Sequence, residues 1–257
     1  MAPIWLQAIV LGSIQGICEF LPISSSAHLV LIPELTGWKY LGRSFDVALH
    51  FGTLVAIVVY FREDVERLAQ KSSRKLLSQI IVASLPAALI GLTLQDWFEL
   101  HLNSVFSIAV FLATFGLLLG VAETWGRKNL ELHNLTMTGA WLLGLAQSLA
   151  LVPGVSRSGA TITAALLLGL NRADSARISF LLALPVTAGA CFLKLIQAGP
   201  WEFSWPVVLG ILASGLSGWI TIRALMGYVK RHSLRAFVVY RLILAALLLI
   251  WVGSTRL

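Results

Sequence analysis

Six stretches of this chain, 45–61, 76–95, 105–123, 178–198, 206–226 and 237–253, are almost unbroken apolar sequence. Each approaches the ~20 residues that a helix needs to cross a bilayer. No other feature narrows the possible folds as much. Charge agrees with it: only 12% of the residues are charged, against about 25% in a soluble domain, too few to cover a water-facing globule. Two further apolar regions, 1–36 and 139–170, are interrupted by Pro, Gly and Ser, as LPISSSAH at 21–28 and VPGVSRSGAT at 152–161. Each half is too short to span. Broken backbone at membrane depth is tolerated only when buried in protein or lining a cavity, so both regions are expected to form re-entrant helical hairpins.

Charge in the loops orients the spans. The loop 62–75 holds Arg62, Arg67, Lys71, Arg74 and Lys75; 124–138 holds Arg127 and Lys128; 227–236 holds Lys230, Arg231 and Arg235. These three are expected on the cytoplasmic side. The loops 96–104 and 199–205 carry no Lys or Arg and belong outside, with Lys39 and Arg43 a mild violation. The net charge of +7 suits loops beside anionic head groups, and no basic stripe interleaved with aromatics suggests nucleic acid. Cys18 and Cys191 lie in apolar segments and read as small core residues. The N-terminus lacks a basic n-region, so its first apolar stretch is expected to remain in the mature protein.

The halves resemble each other. Leu11, Gly12 and Gln15 match Leu143, Gly144 and Gln147; Phe45-x-x-Ala48-Leu49 matches Phe180-x-x-Ala183-Leu184; with a one-residue gap, Pro22-x-x-Ser25 matches Pro153-x-x-Ser156. One broken segment plus three spans is an odd number of crossings, which turns the second half upside down. The expected fold is therefore an all-α polytopic membrane protein, one domain over 1–257. It has two inverted-topology repeats, about 1–123 and 139–257, joined by a cytoplasmic connection at 124–138. Each repeat is a re-entrant helical hairpin plus three transmembrane helices. The hairpin tips should meet near the midplane, where inverted-repeat proteins place their ligand sites.

Chemistry concentrates at those tips. A charge at the bilayer centre costs about 2.5–3.5 kcal/mol on insertion scales, so Arg157 needs a reason. Ser156, Ser158 and Gly159 around it, at the start of a helix, make an anion cradle, and its guanidinium forks onto phosphate. A structural partnership with Glu19 is the plainer alternative. Gln15 and Glu19, four apart, share one helix face, and Glu19 reads as a metal ligand or a general base. Ser25 with His28 suggests a nucleophile with its acid or base, although a Ser-rich turn before a helix can be only a cap. His50 reads as an interior, hydrogen-bonded histidine; His101, His133 and His232 read as loop residues.

The strings QGICEFLPISSSAH at 15–28 and PGVSRSGAT at 153–161 resemble the two signature motifs of bacterial undecaprenyl-diphosphate phosphatases, the bacitracin-resistance family. SFLLALP at 179–185 and Tyr240-Arg241 look like further landmarks, so the likeness covers the whole chain. It implies inverted repeats in the bacterial inner membrane. It also implies hydrolysis of undecaprenyl diphosphate, a polyprenyl diphosphate lipid, with Mg²⁺ or Ca²⁺ as cofactor. By position, Gln15 and Glu19 fall in the acidic, metal-binding motif. Ser25 and His28 form the Ser–His pair, beside Ser24 and Ser26. Ser156, Arg157, Ser158, Gly159 and Thr161 form the phosphate loop. Three departures stand out: Gln15 is a neutral variant, Ala27 replaces a common Gly, and Arg177-Ile178 stands where some members have Glu-Phe, so Arg177 is given no catalytic role. A transporter or flippase for a phosphorylated lipid is the competing class, since broken helices in inverted repeats also serve transport.

Overall fold

The computed structural model describes residues 2–198 and 204–255; residues 199–203, most of the expected outer loop 199–205, lie outside the described residues. Regular structure within them is helical apart from one isolated bridge between Leu130 and Leu170. Helix α1 (Ile4–Phe20) and α2 (Ser25–Thr36) flank the first break; α7 (Met137–Leu149) and α8 (Arg157–Leu167) flank the second. The 17 residues of α1 rise about 26 Å at 1.5 Å each, short of the ~30 Å hydrocarbon core, and the other three are shorter still.

Among the described residues, five helices are long and apolar enough to cross a membrane. They are α5 (Arg74–Leu102), α6 (Val105–Trp125), α9 (Arg172–Ala198), α10 (Trp205–Tyr228) and α11 (Arg235–Thr255). The sixth expected span, α3 (Arg43–Tyr60), qualifies only together with the short α4 (Arg62–Leu68), from which an 80° bend separates it. Arg43, Asp46 and His50 in its first half lower its hydropathy. Two helices outrun their apolar windows. Helix α5 continues through 96–102, so His101 sits on a helix and not in the expected loop 96–104. Helix α9 starts at Arg172 because Asn171 caps it, its side-chain oxygen accepting from the Asp174 N–H at 2.9 Å. Hydropathy registers the apolar part of a helix, whereas capping decides where it ends.

The three basic loops meet at one end of the bundle. Lys75 donates to the carbonyl of His133 at 2.9 Å, and the Leu234 N–H donates to Glu123, the buried acid at the base of α6. Arg172 holds Glu123 from the start of α9, and Arg177 pairs with Asp64 of α4. This places Arg177 among the basic loops, paired with an acid of α4.

Elsewhere, packing is by small residues, as in membrane bundles where backbones must approach closely. Helix α1 lies on α10 and α7 lies on α5. A Cβ on Gly12 would stand 2.3 Å from the carbonyl oxygen of Gly210, and one on Gly144 2.6 Å from that of Ala83. Backbone on both sides leaves nothing to yield. Gly12→Leu is therefore expected to cost more than the ~1–3 kcal/mol of ordinary overpacking and to lower the unfolding temperature in detergent. Gly227→Ala, with nothing within 4 Å of the added Cβ, should leave that temperature unchanged.

Candidate active site

Both breaks end on a serine in an unusual backbone conformation: Ser24 at φ 75°, ψ 96° and Ser156 at φ 74°, ψ 118°. Positive φ at a non-glycine costs about 1–3 kcal/mol and persists only where the surroundings impose it. Each hydroxyl faces that of the serine two residues on, Ser24 to Ser26 at 3.2 Å and Ser156 to Ser158 at 3.3 Å. The backbone thus sets Ser24, not Ser25, beside Ser156 as its counterpart. No gap is needed, and the offset is the one that relates Gln15 to Gln147. Arg157 is then the counterpart of Ser25.

One side chain imposes both turns. Arg241 of α11 is fully buried, and its guanidinium donates to Pro22 O at 3.2 Å in the first break. It also donates to Gly154 O at 3.1 Å and Val155 O at 2.9 Å in the second, while Nε reaches Leu112 O of α6 at 3.1 Å. Carbonyls freed by a broken helix in a dry interior must find donors, and Arg carries five in a fixed fork. Gly159 makes room for it: a Cβ there would sit 2.8 Å from Arg241 Nη1.

The two tips meet at a carboxylate. Glu19, 95% out of solvent, accepts on Oε1 from Arg157 Nη2 at 2.5 Å. Its Oε2 accepts from the Ser25 hydroxyl at 2.6 Å and from Gln15 Nε2 at 2.9 Å. His50 of α3 brings Nε2 to 3.5 Å from the same oxygen, while its Nδ1–H donates to Asp46 O at 2.8 Å. These groups open onto a cavity of about 220 Å³ whose polar lining includes Glu19, Ser25, His50, Gln147, Ser156 and Arg157. That is smaller than the ~300–1,000 Å³ of a drug-sized pocket and suited to a polar head group. A guanidinium, a hydroxyl and a carboxylate converge there, groups whose chemistry suits gripping a phosphate beside a nucleophile and a base.

The other expected site residues are placed variously. Ser26 lines the cavity and is exposed. Ser24 is wholly buried. Ser158 donates to Leu21 O at 3.0 Å, tying one tip to the other. The Gly159 N–H is taken by Ser156 Oγ at 3.1 Å, and Thr161 turns into the core, donating to Arg157 O at 2.8 Å and meeting Ser179. His28 bonds to Ser24 O and Tyr240 and is not among the residues that line the cavity. His50 and Gln147 are the residues that sequence reasoning missed. A lone histidine in an apolar span carries no signal, but Gln147 is marked by its match to Gln15.

The donor set can be weighed against a divalent cation. No group of three His, Cys, Asp or Glu side chains occurs among the described residues. Glu19 offers a hard carboxylate, and Gln15 Oε1 beside it is buried with no hydrogen-bond partner. Mg²⁺ and Ca²⁺ can be held through one or two protein oxygens when substrate phosphates and water complete the shell, and these two oxygens are the candidates, although Gln15 is not among the residues that line the cavity.

Residues 8–247 match the family described as Bacitracin resistance protein BacA. The chain is 46% identical to the undecaprenyl-diphosphatase of Geobacter metallireducens, covering 96% of this chain and 98% of that protein. It is 47% identical to that of Trichlorobacter lovleyi (92% and 93% covered) and 43% identical to that of Elusimicrobium minutum (95% and 97%).

Proposed function

Because the chain belongs to the bacitracin resistance protein BacA family, we propose that it does what its relatives are named for. It is an undecaprenyl-diphosphatase: with water, undecaprenyl diphosphate gives undecaprenyl phosphate and inorganic phosphate. The product is the lipid carrier for cell-wall synthesis, and removing the diphosphate confers bacitracin resistance. Relatives carrying that name span nearly the whole chain. The Glu19–Arg157–Ser25 constellation, assembled from two hairpins 138 residues apart, is the observation that carries the reading to particular residues.

The wider architecture is read as two inverted repeats in the bacterial inner membrane. Its supports are the paired serine turns, the Gly12 and Gly144 contacts at matching helices, and the basic loops gathered at one end. The prenyl tail lies among the helices while the diphosphate occupies the cavity.

Arg157 exchanges one contact to Glu19 for the terminal phosphate and stabilises the charge that builds there. Ser25 Oγ attacks the terminal phosphorus, its proton passing to Glu19 Oε2. The bond from that phosphorus to the bridging oxygen breaks, and undecaprenyl phosphate leaves. Water then attacks the phosphoserine phosphorus as its bond to Ser25 Oγ breaks; Glu19 returns its proton to that oxygen, and the water's protons leave with the phosphate. Glu19 and Gln15 are the residues that would hold Mg²⁺ or Ca²⁺, whose chemistry when bound is to neutralise phosphate charge. Ser156 and Ser26 supply hydroxyls at the rim; Ser24, Ser158, Gly159 and Thr161 contribute by shaping the two turns.

Ser25→Ala is expected to lower phosphate release from undecaprenyl diphosphate by at least about a thousandfold, as loss of a nucleophile does. Rapid quenching with substrate labelled in its terminal phosphate should trap the label on Ser25 of the unmodified protein. Full activity of Ser25→Ala would rule out the covalent route, and no release of phosphate by the unmodified protein would rule out the function.

A further inference from the structure

The two serine turns share a conformation and the tie to Arg241, but the serines themselves are held by different means. At the second, Ser156 caps its own helix, its hydroxyl accepting from the Gly159 N–H at 3.1 Å. The first has no such side-chain cap. There the carbonyl of Ser24 takes two donors from one residue, the His28 amide N–H at 3.4 Å and ring Nδ1 at 2.7 Å. A carbonyl only accepts, so Nδ1 carries the hydrogen. In the neutral ring Nε2 is then an acceptor, and the Tyr240 hydroxyl donates to it at 2.6 Å. The two rings lie 13° from parallel. A chain of two hydrogen bonds thus runs from α11 to the strained residue immediately before Ser25. The residue that corresponds to His28 in the second hairpin is Ala160, where the serine cap makes a brace unnecessary.

We infer that Tyr240 and His28 are positioning residues: they brace the Ser24 turn, so that Ser25 Oγ stays aimed, and His28 exchanges no proton with the reacting groups. The inference rests on the reading that Ser25 meets the phosphorus. Both ring nitrogens of His28 are committed, to Ser24 O and to Tyr240, and Glu19 already accepts the Ser25 hydrogen.

The decisive comparison is His28→Asn with His28→Ala, since the asparagine amide can donate to Ser24 O as Nδ1–H does. His28→Ala is expected to lower kcat about a hundredfold, the cost of a small misplacement of reacting atoms, with little change in KM. His28→Asn should recover to within about tenfold of the unmodified protein and keep the shape of its pH–rate profile. Tyr240→Phe should lower kcat about three- to tenfold in the unmodified background and not at all in His28→Ala, the signature of one coupled chain. His28→Asn as inactive as His28→Ala, with both folded, would overturn the inference, as would an unaltered kcat in Tyr240→Phe. If the substitutions do not fold, ¹⁵N NMR of histidine-labelled protein in nanodiscs decides: the Nδ1–H tautomer at His28 is expected, and the Nε2–H tautomer refutes the brace. Full activity of Ser25→Ala removes the reading beneath, and the NMR result then still judges the brace by itself.

Discussion

Arg157→Ala should lower kcat/KM for undecaprenyl diphosphate by about a thousandfold or more, the scale seen when a donor to developing transition-state charge is deleted from a dry site. Two losses combine. The guanidinium is the one side chain at the hairpin tips that can fork onto a phosphate, and it also balances Glu19, which is 5% exposed. Removing one partner of a buried pair costs about 3–5 kcal/mol because the other charge is left uncompensated. The two losses separate experimentally. Glu19→Gln combined with Arg157→Ala should regain most of the thermal stability in detergent and none of the activity. Arg157→Lys keeps the charge without the fork and should fall between. Phosphate release by Arg157→Ala within about tenfold of the unmodified protein would remove Arg157 from the reaction.

The second large effect is structural. Arg241→Met keeps the length and apolar bulk of the side chain and removes its donors to Pro22, Gly154, Val155 and Leu112. Each buried carbonyl left without a partner costs about 1–3 kcal/mol, so the total approaches the ~5–15 kcal/mol that holds a typical protein folded. The expected result is a severe loss of folded protein after detergent extraction. Whatever folds should be inactive, since both serine turns depend on the same side chain. Gly159→Ala, which pushes a methyl against Nη1, should reproduce a milder form. An Arg241→Met protein with an unchanged unfolding temperature would show that the turns hold themselves.

The sequence makes some of this visible and hides the rest for physical reasons. The hairpins are legible because Pro, Gly and Ser in a cluster cannot continue a lipid-facing helix. Arg157 and Glu19 are legible because their charges are costly in lipid. The register of the two tips is not: Pro22 and Pro153 suggest a gap, but what equates the turns is a positive φ at Ser24 and Ser156, and serine does not announce its φ. His28, three residues from Ser25 on one helix, suggests a shared task; its ring instead finds the carbonyl of its own turn, a local bond that spacing does not reveal. Arg241 stands out only as a landmark, because its partners are backbone carbonyls and leave no mark in composition. His50 reaches Glu19 through the packing of α3, which no local pattern encodes.

The dependence of both tips on Arg241 has a corollary for biogenesis. Translation and insertion proceed from α1 onward, so a nascent chain threaded as far as α10 already owns the carboxylate of Glu19, the hydroxyl of Ser25 and the guanidinium of Arg157, yet lacks the knot that draws them together. Activity should therefore switch on late and abruptly, when α11 is laid into the bilayer, and half-made protein should leave the carrier lipid untouched.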